Sequence, residues 1–175
     1  MEKLIAYYTL KIKNMTSFKM VKFIYLTEML YLLKKNRRMT DIPFFYWDHG
    51  PYSKDIEEKA EEINGKTISI KEITTAKGYE ATVYDSLINE KDIELPPETK
   101  KIADEIIRDF GEMENKEIKD FVYNTIPLKN TEKREKIDLS MLYTDYIEDE
   151  KAKNAKINLL NKIKAKGVKL EELAV

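Results

Sequence analysis

His49 is the only histidine of this chain, and histidine is the side chain that most often transfers protons in catalysis. Asp48 precedes it, and a carboxylate next to an imidazole could form an acid–base pair. Side chains of adjacent residues usually point apart, so the pair favours a structural or binding role. The 175 residues include no cysteine, which excludes disulfides, thiolate catalysis and zinc sites that need cysteine. With a single histidine, any metal site would have to be built from carboxylates.

The sequence also lacks the motifs of the common catalytic classes. It has no Gly-x-Ser-x-Gly turn, no glycine-rich phosphate loop and no His-Glu-x-x-His helix. Adjacent carboxylates, such as Asp104 with Glu105 and Asp149 with Glu150, are most simply solvated faces of helices. We therefore predict that the chain is not an enzyme and has no catalytic residue, no metal site and no cofactor.

Rare residues gather in residues 44–56, which hold the only tryptophan and the only histidine together with Gly50-Pro51. Glycine allows a backbone that a residue with a Cβ resists, proline fixes φ, and a helix can begin after it. The aromatic residues before this turn could cover the core, bind a partner, or do both. The predicted partner-binding residues are Trp47, His49, Gly50, Pro51, Tyr52, Glu57, Glu58 and Glu61.

The elements before the aromatic segment are predicted to be helical. Apolar residues in 3–13 recur at helical spacing, which predicts an amphipathic helix, and residues 14–17 read as a turn with a capping Thr or Ser. In residues 18–36 the apolar positions occupy more than one face. This pattern predicts a central helix that is buried on most sides.

After the Gly-Pro turn, Tyr52 or Ser53 can cap a short helix with an acidic outward face. Alternating residues in 67–73 and 79–84 then predict a β-hairpin. Further predicted elements are a helix that starts at Pro96-Pro97 and stops at Gly111, a helix over 115–125 that Pro127 ends, a polar loop over 128–136, a helix over 138–147 and an amphipathic helix over 151–166.

Together these elements predict a mainly helical α+β fold. It has a buried central helix, a winged-helix-like helix and β-hairpin, and additional C-terminal helices. A chain of 175 residues suits one well-buried core. We therefore expect a single domain over residues 1–147, followed by a basic helical extension over 148–175.

Charge is distributed unevenly along the chain. Residues 1–38 carry +7 and 151–175 carry +5, whereas 39–95 carry −7 and 96–150 carry −6. The longest apolar stretch, 20–33, is interrupted by polar residues, and the N-terminus lacks the cleavage site of a secretory signal. We expect a cytoplasmic protein that does not bind a membrane.

A nucleic-acid partner is one alternative. The cationic residues that could contact phosphates are Lys34, Lys35, Arg37 and Arg38, together with the basic tail. A winged helix normally presents its second helix to the major groove, and here that helix is acidic and would repel DNA. Cations at a helix end also need no ligand. A winged-helix transcriptional regulator is therefore the first alternative function.

The spacing of these features resembles the Panacea domain family, also called SocA-like antitoxin domains. Its first element is represented by Lys22-Phe23-Ile24-Tyr25, with Glu28 at the acidic position that follows. Its second element is represented by Trp47-Asp48-His49-Gly50-Pro51, and its later helix by Phe121-Val122-Tyr123 and Pro127. The resemblance covers residues 4–147. It implies structural roles for Lys22, Tyr25, Glu28, Gly50 and Pro51.

The resemblance also implies a function: a non-enzymatic module that neutralises a cognate toxin by binding it, typically encoded beside that toxin. The acidic middle of the chain would suit a basic toxin, because complementary charge steers association. A further alternative is a viral or mobile-element accessory protein that acts as a homodimer through the 151–175 helix.

Overall fold

The structure of the chain is a computed structural model that describes residues 1–75 and 78–143. Its helices are α1 (Glu2–Lys11), α2 (Ser17–Lys35), α3 (Lys54–Glu62), α4 (Pro97–Phe110), α5 (Asn115–Tyr123) and α6 (Ile126–Lys129). Its strands are β1 (Met15–Thr16), β2 (Phe45–Trp47), β3 (Gly50–Tyr52), β4 (Ile68–Thr74) and β5 (Glu80–Ser86). This is the mainly helical α+β fold that the sequence predicts.

Helix α2 passes through the centre of the core, as predicted. Every residue from 20 to 33 is buried, and α1, α4, α5, β3 and β5 all pack against the helix. The Thr16 side chain accepts a hydrogen bond from the Lys19 N–H at 3.2 Å and caps the N-terminus. None of the described helices is both long and apolar enough to cross a membrane.

Helix α1 is more deeply buried than an amphipathic helix would be. The sequence predicts one apolar face, whereas residues 4–9 are all buried in the structure. Two polar contacts make this possible, because buried hydroxyl groups need hydrogen-bond partners. The Tyr7 hydroxyl donates to Asp104 in α4, and the Tyr8 hydroxyl is bonded to Thr27 in α2.

The predicted β-hairpin is confirmed and belongs to a three-stranded antiparallel sheet of order β1-β5-β4. Strands β4 and β5 pair continuously from Ile68 opposite Ser86 to Thr74 opposite Glu80. Strand β1, which the sequence does not predict, pairs Met15 with Tyr84. The elements follow in the order α1, β1, α2, β2, β3, α3, β4 and β5, and the likeness to a winged helix stays a prediction.

The helix predicted over 115–125 is present as α5, but the prediction that Pro127 ends it is wrong. Helix α5 ends at Tyr123, and Pro127 lies in the first turn of α6, where a missing N–H costs no intrahelical hydrogen bond. In the predicted helix over 138–147, the described part contains only a 3₁₀ turn at Ser140–Leu142. Residues 144–147 and the predicted 148–175 extension lie outside the described residues.

Glu28 organises the connection between α2 and β2. Its carboxylate is fully buried and accepts hydrogen bonds from the Met39 N–H at 3.0 Å and the Thr40 hydroxyl at 3.0 Å. The Arg38 guanidinium pairs with the same carboxylate and donates to the Ile42 carbonyl at 2.8 Å. A segment without helix or strand is thereby fixed to the central helix.

We expect Glu28→Ala to lower the free energy of unfolding by about 3 kcal/mol or more, because it leaves Arg38 and two donors of the connection without their acceptor. Glu28→Gln should cost less, since the amide keeps one acceptor oxygen. Denaturant unfolding measures both. Glu62→Ala is the matched control, because Glu62 forms an exposed pair with Lys59. Equal losses for Glu28→Ala and Glu62→Ala would contradict this role.

Candidate functional site

The aromatic segment forms a small antiparallel hairpin with two different faces. Strands β2 and β3 pair Phe45 with Tyr52, Tyr46 with Pro51 and Trp47 with Gly50. Residues directly opposite each other share a face. Phe45 and Trp47 are 37% and 45% exposed on the outer face, and the Trp47 and Tyr52 rings lie 6.2 Å apart. The hairpin therefore presents an aromatic face to solvent.

Residues 134–137, which we call the Arg134 strap, extend this hairpin along the free edge of β2. The Tyr46 N–H donates to the Glu135 carbonyl at 2.9 Å, and the Arg134 N–H donates to the Tyr46 carbonyl at 2.7 Å. The Ile137 N–H donates to the Phe44 carbonyl at 2.8 Å. The sequence predicts a polar loop over 128–136; its first two residues instead end α6, where Leu128 is buried, and residues 132–136 are exposed.

Arg134 covers the outer face of Trp47. Its guanidinium carbon lies 3.7 Å from the Trp47 ring centroid, and its Nη2 lies 3.1 Å from each carboxylate oxygen of Asp48. Its backbone has a φ of +74°, which costs a residue other than glycine about 1–3 kcal/mol. Sequence analysis missed this residue, because nothing near it in the chain signals the contact.

Gly50 and Pro51 do not form the predicted turn, because the turn is Asp48-His49 and Gly50 begins β3; both residues are buried beneath the aromatic face. Gly50 has a φ of +89°, and a Cβ there would lie 3.3 Å from Tyr123 and 3.4 Å from Val122. The Tyr123 hydroxyl donates to the Asp48 carbonyl at 3.1 Å, and its ring packs edge-on against Tyr46. Gly50 and Pro51 are buried, so they support the surface rather than form part of it.

Lys22 joins the hairpin to the central helix. Its ammonium group donates to the Pro51 carbonyl at 2.8 Å and lies 4.5 Å from the centroid of the Phe18 ring. The residue is 4% exposed, and no carboxylate of the described residues forms an ion pair with it. Burial, and to a smaller extent the charge of Lys119, lowers the pKa of Lys22 to about 7.

The other two family-motif residues lie deeper in the core. The fully buried Tyr25 hydroxyl is hydrogen-bonded to Thr125 at 3.1 Å, and burial raises its pKa above the ordinary value. The Tyr25 ring also packs edge-on against Phe44, with centroids 5.2 Å apart. Tyr25 thus connects α2 both to the start of the hairpin and to the α5–α6 connection, whereas Glu28 fixes the segment before the hairpin.

The aromatic face continues into the acidic helix α3. The Tyr52 hydroxyl donates to Glu57 at 2.7 Å, and burial together with this carboxylate raises the pKa of Tyr52 to about 12. Glu58 and Glu61 are exposed on the same helix. The structure therefore places Trp47, Tyr52 and Glu57 in one surface, and His49 is exposed at its turn.

The four cations considered for nucleic acid are all engaged within the fold. Lys34 pairs with Glu105 and Lys35 with Glu98. Arg37 donates to the Tyr31 hydroxyl at 2.8 Å, and Arg38 pairs with Glu28. These contacts give the run a structural role at the end of α2, and its binding of nucleic acid stays an untested prediction.

The Asp48 carboxylate, which the sequence offers as an acid–base partner of His49, accepts a hydrogen bond from the Arg134 side chain. Within residues 1–75 and 78–143, no three His, Asp or Glu side chains lie close enough to hold a metal ion.

A family model described as "Antitoxin SocA-like, Panacea domain" matches residues 20–127. The match begins within α2 and ends within α6, so it includes the whole aromatic hairpin and all five motif residues. It is shorter than the 4–147 range of the resemblance, and it ends before the Arg134 strap. Comparisons with curated proteins and with solved structures gave no match.

We expect Gly50→Ala to lower the free energy of unfolding by about 2–4 kcal/mol, from the left-handed backbone and from contact with Tyr123 and Val122. The control is Gly65→Ala. Gly65 has a φ of +74°, but nothing lies within 4 Å of its added Cβ, so only the backbone cost of about 1–2 kcal/mol applies. Urea unfolding compares the two variants. Equal losses would contradict a contribution from the contacts with Tyr123 and Val122.

Lys22 should make stability depend on pH. Its pKa is about 7 in the folded chain, against an ordinary value of 10.5 for lysine, so between these values the unfolded chain binds a proton that the folded chain has lost. Stability should therefore rise with pH in this window, by up to about 1.4 kcal/mol per pH unit. Lys22→Met removes this contribution, whereas all other groups titrate in both proteins. The test measures the free energy of unfolding of the wild type and of Lys22→Met from pH 6 to pH 10. A difference between the two proteins that stays constant over this range would contradict the pKa shift.

Proposed function

The chain belongs to the SocA-like antitoxin family with a Panacea domain, and we propose that it neutralises a cognate toxin by binding it directly. In this proposal the protein is a non-enzymatic binding module of the cytoplasm, and a neighbouring gene encodes the toxin. The contact surface comprises the aromatic face of the β2–β3 hairpin and the adjoining part of α3.

The observation that carries this proposal is the exposed tryptophan on a rigidly supported hairpin. Trp47 is 45% exposed, while the Gly50-Pro51 strand behind it is buried and bonded to Lys22. Tryptophan and tyrosine are enriched among the residues that dominate binding energy at interfaces, and the rings of Trp47 and Tyr52 lie together here. A surface held from behind also loses little conformational entropy on binding.

The charge of the surface supports a basic partner. Helix α3 carries five carboxylates and two lysines, and residues 39–95 as a whole carry −7. Complementary charge across an interface accelerates association and excludes wrong partners. The same charge opposes the alternative of a winged-helix DNA-binding regulator, because α3 is the helix that would enter the major groove.

The proposal is tested by co-expressing the chain with the product of the adjacent gene. The partner should be toxic when expressed alone, and the chain should restore growth and co-purify with it. We expect Trp47→Ala to weaken binding by about 30-fold or more, the effect of losing about 2 kcal/mol at a central residue. Calorimetry of the purified complex gives the dissociation constant.

Tyr79→Ala is the matched control, because Tyr79 is an aromatic residue that is 70% exposed beside a different hairpin. It should bind and neutralise like the wild type. An adjacent gene product that is neither toxic nor bound would refute the antitoxin role. Equal binding by both variants would instead refute the assignment of the surface.

A further inference from the structure

The contacts of Arg134 are those of a ligand in a binding site. Its planar guanidinium lies against the Trp47 ring, and its Nη2 reaches both oxygens of the Asp48 carboxylate. A planar guanidinium stacked on an indole ring favours arginine over lysine, and the carboxylate of Asp48 selects for positive charge. Trp47 and Asp48 thus form a receptor of defined chemistry, which the chain fills with its own side chain.

The occupying side chain can leave without disrupting the core. The side chains of Arg134 and Asp48 are 52% and 51% exposed, so water reaches both partners of the ion pair. Residues 132–136 are all exposed, whereas Ile137 is buried and anchors the strap. The backbone at Arg134 has a φ of +74°, so this position is held in a conformation that arginine disfavours.

We infer that Trp47 and Asp48 are a recognition site for an arginine side chain of the partner, and that Arg134 fills this site until the partner binds. The inference rests on the proposed function only in naming the toxin as the source of that arginine. The neighbouring carboxylate of Glu57, bonded to Tyr52, adds negative charge to the surface that a cationic side chain approaches.

Occupation of the site by Arg134 should weaken its affinity for an outside ligand by a predictable factor. A site that its own residue fills for most of the time binds an outside ligand more weakly, in proportion to the fraction of time that it is free. If Arg134 occupies the site for about nine-tenths of the time, removing its side chain tightens binding by about tenfold. Arg134→Gly suits this purpose, because glycine adopts the positive φ without strain.

Trp47 is the only tryptophan of the chain, so intrinsic tryptophan fluorescence reports on this site alone. The probe is the peptide Gly-Gly-Arg-Gly-Gly with blocked ends, titrated at about 0.15 M salt to screen diffuse attraction. Peptides with lysine or with neutral citrulline in place of arginine are the controls. We expect Arg134→Gly to bind the arginine peptide about tenfold more tightly than the wild type does. The same variant should bind the lysine and citrulline peptides more weakly than it binds the arginine peptide.

A second substitution tests the role of the carboxylate. Asp48→Asn, made in the Arg134→Gly background, removes the charge but keeps the backbone carbonyl that accepts from Tyr123. It should abolish the preference for the arginine peptide over the neutral citrulline peptide. Circular dichroism and thermal unfolding verify that each variant is folded. If Arg134→Gly binds the arginine peptide no better than the wild type, or does not distinguish it from the lysine peptide, the inference is wrong.

The peptide assay needs no toxin, so it separates this inference from the proposed function. Failure of the peptide to bind, with a toxin still captured through Trp47, overturns the arginine site alone. Failure of every adjacent product to bind, with the peptide result intact, overturns the antitoxin role alone. Where a toxin is bound, Arg134→Gly should tighten that complex too, and a weaker complex would count against the inference.

Discussion

The fold depends on one constraint, which is the satisfaction of polar groups on a helix that is enclosed on all sides. Helix α2 buries Lys22, Thr27 and Glu28 among its apolar residues, and buried polar groups are costly unless they are hydrogen-bonded. Each bond is made to a different neighbour: Lys22 to the hairpin, Thr27 to Tyr8 of α1, and Glu28 to the connection after α2. The polar residues of the core thereby determine where the surrounding elements lie.

This constraint explains why the hairpin has one fixed face and one available face. Its inner side is held by the bond from Lys22 to Pro51 and by the packing of Tyr46 on Tyr123. Its outer side carries the exposed aromatic rings. A two-stranded hairpin alone is only marginally stable in water, so the inner contacts and the Arg134 strap supply the order that the short strands lack.

The sequence was sufficient to predict elements whose pattern is periodic over many residues. Helix α2 and the β4–β5 hairpin fall in this class, because burial on several faces and strict alternation are local signals. Strand β1 was missed, since two residues show no alternation. The hairpin was recognised only as an aromatic segment with a turn, because its register depends on packing against Tyr123 and Lys22.

The candidate site divides in the same way. Trp47 and Gly50-Pro51 stand out in the sequence because tryptophan, glycine and proline are rare in this chain. The family resemblance includes Tyr123 only as part of a later helix, and neither its contact with Asp48 nor that of Arg134 could be predicted, since the two residues lie 75 and 86 positions from Asp48 along the chain. Their contribution comes from the tertiary fold, and no local periodicity or composition indicates it.

The position of Arg134 also bears on how such a surface could diversify. The match to the family model ends at residue 127, so the hairpin belongs to the shared domain, whereas the residue that covers it comes from the chain beyond. Substitution of Arg134 would alter the cover of Trp47 while the buried Ile137 keeps the strap anchored. The hairpin and the residue that covers it thus lie in separate parts of the sequence, so the cover can change by substitution while the contacts that hold the hairpin are kept.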